Sequence, residues 1–492
     1  MKFVLPQTRP YRLFFCLLLG HLAAYGMGPF YLWPVVLICL SLFWTLFTSF
    51  ATDKKILSYL AGFLFGFGYF VSGLWWIGNA LLVGGNPYKW VYPLAVCGLP
   101  TLLALFPMIA CGLIRQFAAG RSALSFFVFI GLMWLSEFAR GTILSGFPWN
   151  LFGMAWTNNL PMLQTLSIGG VYFLSFLTIF MFTTPAFVIK GKSSKWVRGS
   201  VAALALLCAT STYYYGSHRL QQNPTTFNKD VVVQLIQPNI AQEDKWDSDK
   251  QWDNYRSLMF LIEPVEKSLS ANTRVVVMPE TALTYHDLKT SQAMDALRGR
   301  LDGYTEKHTY LLSGALLRDD RGYHNSLVVL DKSANFIESF DKFHLVPFGE
   351  YIPFQKYIPI PTITQFSGFA SGDGPHTLSQ PNLPAFSPLV CYEVIFPGAV
   401  VSKTEPRPDW MVNVTNDAWY GLSPGPFQHM AQAQYRAIEE GLPMVRAANT
   451  GISTVIDAYG RIIVSTGLYH PSNIESLLPN PAPETFYSKA HR

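Results

Sequence analysis

At 492 residues the chain is long enough for more than one folded unit. Half of its residues are hydrophobic, 15% are aromatic and only 14% are charged, far from the mix of an ordinary soluble domain. The net charge of +5 hides an asymmetry: residues 1–217 hold thirteen Lys/Arg against two acids, Asp53 and Glu137, whereas residues 218–492 hold 23 basic and 29 acidic groups. The basic excess is spread between apolar runs and not clustered on one soluble face, so no nucleic-acid surface is expected.

Seven apolar runs follow in chain order: Tyr11–Met27, Phe30–Phe50, Ile56–Val83, Trp90–Ile114, Ala123–Phe138, Leu163–Ile189 and Gly199–Tyr215. Each approaches or exceeds the roughly 20 residues that cross a hydrocarbon core, the first and fifth being short. With a cytoplasmic N-terminus, the inside segments carry eleven basic residues: Lys2, Arg9, Arg12, Lys54, Lys55, Arg115, Arg121, Lys190, Lys192, Lys195 and Arg198. The outside loops carry only Lys89 and Arg140. That bias orients the chain and leaves residue 218 onward outside. Residues 1–27 also fit a cleaved signal peptide, with a basic start and Ala23-Ala24, but cleavage would spoil the alternation.

From His218 the texture changes to short β-rich runs: Val231–Ile236, Arg274–Met278, Tyr310–Leu317, Ser326–Leu330, Leu389–Val390, Trp410–Val414, Ser453–Asp457 and Ile462–Ser465. Helical patterns lie between them at Trp252–Lys267, Ser291–His308 and Phe427–Glu440. The expected architecture is a multi-span α-helical membrane domain over 1–217 and one α/β exterior domain over 218–475. Residues 476–492, with the Pro-rich stretch Pro479–Pro483, read as a loose tail. No internal repeat is visible.

Five of the six cysteines, Cys16, Cys39, Cys97, Cys111 and Cys208, fall in the apolar runs, where a thiol is ordinarily a small apolar side chain. Cys391 alone lies in the exterior half, so no disulfide forms within that half. Such a thiol is either an inert buried residue or a nucleophile. It follows the apolar strand Phe386–Val390, and two other reactive residues also follow strands: Glu280 after Arg274–Pro279, and Lys342 after Asn335–Asp341. Taken singly, these are a solvated strand end and a surface charge. Together they make a set for acyl transfer: a carboxylate to take the thiol proton and an ammonium to stabilise the thiolate and the oxyanion.

The blocks Met278-Pro279-Glu280-Thr281, Asp341 to Glu350 (DKFHLVPFGE) and Cys391-Tyr392-Glu393 resemble the Glu-Lys-Cys carbon–nitrogen hydrolase (nitrilase) superfamily. Further details resemble its membrane branch, the apolipoprotein N-acyltransferases of bacterial inner membranes. These are the multi-span first half, Gly146-Phe147-Pro148-Trp149, Gln237-Pro238-Asn239 with Lys245-Trp246, Asn413 to Trp419 and Arg446 to Gly451. The resemblance implies an αββα sandwich with Glu280 as general base, Cys391 as nucleophile and Lys342 as stabiliser of the tetrahedral intermediate. It implies pocket or supporting roles for Glu350, Tyr392, Glu393, Trp246 and Trp149. An acyl chain would pass from a phospholipid to Cys391 as a thioester, then to the free α-amine of a diacylglyceryl-cysteine on an apolipoprotein. The catalytic domain would face the periplasm. It also implies a final span after that domain, which this sequence, reaching Ser488-Lys489-Ala490-His491-Arg492, does not display.

No Gly-rich phosphate loop or His-Glu-x-x-His appears, and His286, His308, His324, His344 and His429 lack ligand spacing, so neither cofactor nor metal is expected. Two rival readings stand beside this one, the first of them with the same site residues. A membrane-tethered amidase or nitrilase would hand the acyl group to water, but gives no reason for seven spans. A transporter or receptor would place ionisable residues inside spans, where only Glu137, His21 and Arg140 come near.

Overall fold

The computed structural model describes residues 8–84, 86–264, 269–353 and 368–491. Lys2 of the inside count, the end of the predicted helix Trp252–Lys267 and Arg492 of the tail lie outside these residues. The chain divides into two compact units. One comprises the residues through Asn79, Lys89–Asn223 and Leu422–Ala431; the other comprises Ala80–Tyr88, Pro224–Gly421 and the residues from Gln432 onward.

In the first unit every predicted apolar run forms a helix. They are Arg9–Ala23, Trp33–Ser49, Ile56–Leu74, Tyr92–Phe117, Ala123–Thr142, Leu166–Lys190 and Lys195–Gln222. Four helical segments are long and apolar enough to cross a membrane: Lys55–Leu81, Lys89–Phe117, Ala123–Thr142 and Leu166–Lys190. Trp33–Ser49 is apolar but only 17 residues long. Close helix contact depends on missing side chains, as is common between helices in lipid. A Cβ on Gly20 would lie 1.9 Å from the Phe65 carbonyl oxygen, and one on Gly68 would lie 2.3 Å from that of Leu17.

Two boundaries differ from the sequence reading. The last of these helices runs on to Gln222, past the expected break at 217, because no breaker occurs before Pro224. Residues Leu422–Ala431, expected in the exterior domain, belong to the first unit. There the Gln428 side chain accepts from the indole N–H of Trp149 (2.7 Å) and Trp76 (3.3 Å) and donates to the Gly28 carbonyl (3.2 Å).

The second unit is built on twelve strands among the described residues. In chain order they are β1 Phe227–Gln237, β2 Thr273–Leu283, β3 His308–Asp319, β4 Gly322–Leu330, β5 Phe336–Asp341, β6 Leu378–Gln380, β7 Leu383–Val390, β8 Trp410–Thr415, β9 Met444–Ala448, β10 Thr454–Ile456, β11 Ile462–Ser465 and β12 Ser472–Pro479. They form two six-stranded sheets, ordered β12-β1-β2-β3-β4-β5 and β6-β7-β8-β9-β10-β11. In each, an antiparallel edge strand precedes three parallel strands and then two antiparallel ones. One topology is thus used twice, although the sequence shows no repeat.

The strands alternate as buried strands must. Val233, Leu235, Val275 and Val277 of the first sheet share a core with Phe386, Trp410, Val412 and Val445 of the second. The intervening Val276 and Met278 pack instead with Tyr255 and Leu258 of helix Gln251–Leu261 and with Leu297 and Leu301 of helix Ser291–Asp302. Helix Gly425–Glu440 serves the other half: its Ala433, Ala437 and Ile438 are wholly buried, and Arg436 donates to the Ile395 carbonyl. The architecture is the two-sheet nitrilase-like α/β sandwich.

The stretch read as a loose tail from 476 is part of this unit. Residues to Pro479 pair with β1, Leu478 joins the inter-sheet core, and Ser488 donates to the Glu440 carboxylate at 2.8 Å. Its polar spelling reflects an edge strand and not a disordered end.

Candidate active site

Glu280 sits where β2 loses its regular pairing with β3: the register shifts between Met278 and Leu283, and Thr281 takes a left-handed φ of 48°. The approach needs Gly314 on β3, where a Cβ would lie 2.4 Å from the Glu280 Cα. The bulge leaves the carboxylate buried and fully bonded. One oxygen accepts from the Asn325 amide at 2.7 Å, and the other from the Asn416 backbone N–H at 2.8 Å.

Lys342 follows β5, its backbone N–H bonded to the Asn325 carbonyl at 2.9 Å. Its ammonium is 1% exposed and contacts both oxygens of Glu350, at 2.9 and 2.8 Å, with Glu280 3.8 Å away. Burial disfavours its charge, but Glu350 and Glu280 more than compensate, so its pKa rises. Glu350 is fixed in turn by the Asn325 amide at 3.0 Å and the Val346 N–H at 2.8 Å.

Cys391 is the first residue after β7 and opens a single 3-10 turn with φ 53°. Left-handed backbone at a non-glycine residue is strained and persists only where the surroundings enforce it. Here the Glu393 carboxylate does so: it accepts from Val390 N–H (2.7 Å), Phe343 N–H (2.7 Å) and His344 N–H (3.1 Å), joining the cysteine turn to the lysine loop. Burial pushes Glu393 up to about 7 against these donors and Lys342. Burial and the Glu280 charge push the Cys391 thiol up, while Lys342 and a hydrogen bond with Thr415 pull it down. Burial thus favours the protonated thiol over the thiolate.

The structure thus gathers Glu280, Lys342, Glu350, Cys391 and Glu393 in one buried cluster. Tyr392, beside the cysteine, packs edge-on against Phe396 with ring centroids 5.0 Å apart, and Phe396 stacks on His344. Trp246 is half-buried, its ring 6.0 Å from the Lys245 ammonium. Trp149 belongs to the first unit, where Phe147 stacks on it at 5.8 Å. Sequence reasoning passed over Asn325, Asn416 and Lys245, whose ammonium donates to the Glu280 carbonyl at 2.9 Å. Asn416 and Lys245 lay inside quoted blocks without a role, and Asn325 carried no signal. Among the described residues, no group of three or more His, Cys, Asp or Glu is placed to hold a metal ion.

Residues 221–470 match the carbon-nitrogen hydrolase family, and residues 19–183 match the apolipoprotein N-acyltransferase N-terminal domain. A curated apolipoprotein N-acyltransferase of Rhodopseudomonas palustris is 38% identical over 96% of this chain and 90% of its own length. The chain belongs to the apolipoprotein N-acyltransferase family. Members from Bradyrhizobium diazoefficiens (36% identity, 96% of this chain, 90% of that protein) and Brucella melitensis (38%, 87% and 81%) are also similar. This chain carries four helices long and apolar enough to cross a membrane and a buried cluster of Cys391, Glu280 and Lys342.

Proposed function

We propose that the chain moves an acyl chain from a phospholipid, through a thioester on Cys391, to the free α-amine of the diacylglyceryl-cysteine of an apolipoprotein. The observation that carries this reading is the buried cluster in which Glu280 and Lys342 lie 3.8 Å apart and both act electrostatically on the Cys391 thiol. Glu280 takes the thiol proton as sulfur attacks the ester carbonyl, and Lys342 stabilises the oxyanion. The lysophospholipid alkoxide leaves with the proton held by Glu280. The amine then attacks the thioester, loses a proton to Glu280, and expels the thiolate, which recovers that proton. Glu350 keeps Lys342 charged and aimed, Glu393 holds the cysteine turn, and Tyr392 and Trp246 serve as aromatic walls for the substrates.

Splitting the reaction at a covalent intermediate predicts that its first half runs alone. Incubation with phospholipid only should release lysophospholipid in an amount equal to the enzyme and then stop. A diacylglyceryl-cysteine peptide with a free amine should restart release; the amine-blocked peptide should not. Continuous release without peptide would instead assign the chain to the amidase-type hydrolases, for which water is always at hand.

Sidedness follows from the charge bias of the loops: seven crossings from a cytoplasmic N-terminus put the catalytic unit on the periplasmic face of the inner membrane. A reporter enzyme active only outside the cytoplasm, fused after Asn223, should be active, and one fused after Lys55 should be silent. The reverse pattern would invert the topology.

A further inference from the structure

Resting on the reading of Cys391 as nucleophile, we infer that the Thr415 hydroxyl is a further catalytic group, which donates a hydrogen bond to the Cys391 sulfur whenever that sulfur is a thiolate. The sheet sets its place. β7 and β8 run parallel, with Leu389 opposite Asn413 and Val390 opposite Val414. The next residue on each is Cys391 and Thr415, so the hydroxyl stands level with the nucleophile and bonds its side chain.

Three more polar side chains close a ring behind that hydroxyl, and all four residues are wholly buried. Thr415 donates to Asp417 Oδ1 at 3.1 Å, and Asp417 Oδ2 pairs with Arg446 Nη2 at 2.8 Å. Arg446 also donates to the Asn413 side-chain oxygen. The Asn413 amide in turn donates to the carbonyls of Leu389 at 3.2 Å and Cys391 at 3.4 Å. Asp417 is seated against Gly451, where a Cβ would lie 2.2 Å from Oδ2. A buried ion pair is costly, and this one ties the hydroxyl at one end to the backbone of the nucleophile at the other.

A hydroxyl has one proton and two lone pairs, whereas an ionised carboxylate only accepts. At rest the Thr415 proton therefore goes to Asp417, and a lone pair faces the thiol. That bond, at 3.1 Å, is long for a hydroxyl on a carboxylate, where about 2.5–2.7 Å is usual. Arg446 already holds the other oxygen of Asp417, so the proton is free to turn to sulfur. It turns when Glu280 has taken the thiol proton, and again when the amine expels the thiolate from the thioester. In the acyl-enzyme the sulfur carries no charge, and the hydroxyl returns to Asp417. Thr415 forms no covalent bond and loses no proton at any stage. Lys342 serves the same anion by its charge, and Thr415 serves it by a directed bond from the neighbouring strand.

The test uses the full-length enzyme in detergent. Thr415→Val and Thr415→Ala remove the hydroxyl, and Thr415→Ser keeps it. Two rates are read: thioester formation on Cys391 at saturating phospholipid, by intact mass, and alkylation of Cys391 by iodoacetamide without lipid, by peptide mass. Wild type against Thr415→Val, and Thr415→Ser against Thr415→Ala, are two pairs that differ only at the hydroxyl. Within each pair both rates should fall about ten- to a hundredfold, the effect of one hydrogen bond to a charged group. The half-saturating phospholipid concentration should not move. A hydroxyl that merely tied Asp417 to the sheet would lower the thermal midpoint and leave alkylation of the folded protein unchanged. An unchanged alkylation rate in either pair would therefore overturn the inference. So would a failure of both apolar variants to fold while Thr415→Ser folds, since the hydroxyl would then serve the fold; if only one fails, the other pair decides. Failure of the underlying reading looks different: the wild-type protein would form no thioester, however fast its Cys391 is alkylated.

Discussion

Cys391→Ala should form no acyl-enzyme with phospholipid and transfer nothing to a diacylglyceryl peptide, a loss on the order of 10⁶-fold, the scale reached when a covalent nucleophile is removed. Cys391→Ser should do little better. The site relies on a partial pull from Lys342 and Thr415 to bring a thiol within reach of Glu280, and a hydroxyl starts several pH units further away. Intact-mass analysis after incubation with phospholipid reads the first half, and amine acylation of the peptide reads the second. Neither substitution adds bulk or buries a new charge, so both proteins should remain folded. Undiminished transfer by the Ala variant would remove the thioester from the mechanism.

Glu280→Gln should cost about 10²–10⁴-fold, the usual contribution of a positioned base, and Lys342→Met about 10²–10³-fold, the usual loss of one oxyanion-stabilising group. Combining them should cost little more than the worse single change. Each acts only on a transition state that the other has already made accessible, and such losses do not add. Lys342→Met also leaves Glu350 and Glu280 facing each other through the shared Asn325 amide without their ammonium. Its thermal midpoint should therefore fall, whereas that of the double variant, with one carboxylate neutralised, should fall less. Fully additive kinetic losses would demote one of the pair to a structural role.

The legibility of these residues in the sequence had a physical basis. Glu280 lies in a strand whose apolar run is buried on both faces, and Lys342 and Cys391 directly follow strands. A reactive side chain after such a run stands out against the pattern that precedes it. The helices of the first unit were equally plain, since each of the seven apolar runs forms one, though only four are long and apolar enough to cross a membrane. What stayed hidden was set by partners far away in the chain. β9 reads Met444-Val445-Arg446-Ala447-Ala448, and its charged centre argues against a buried strand until Asp417 appears 2.8 Å from the guanidinium. Asn325 gains its meaning only from Glu280 and Glu350, which it bridges from strand β4, two strands away from β2. Gln428 looks like a helix-surface residue of the exterior half, yet two indoles and two glycine carbonyls claim its amide. Polar residues state their role through partners, and one-dimensional patterns do not carry partners.

The pairing of β12 with β1 sets the order in which the catalytic unit is completed. β1 is the first strand made and β12 the last, and they are neighbours at the edge of one sheet. At about 5–20 residues per second, synthesis of the stretch between them takes roughly 12–50 s. Throughout that interval the edge of β1, with Val231 to Ile236 destined for full burial, lacks its antiparallel cover. An open apolar edge is a template for pairing with another chain. The nascent protein therefore passes through a prolonged aggregation-prone window that closes only when its final strand arrives, and a ribosome stalled or a chain clipped before Ser472 never leaves it.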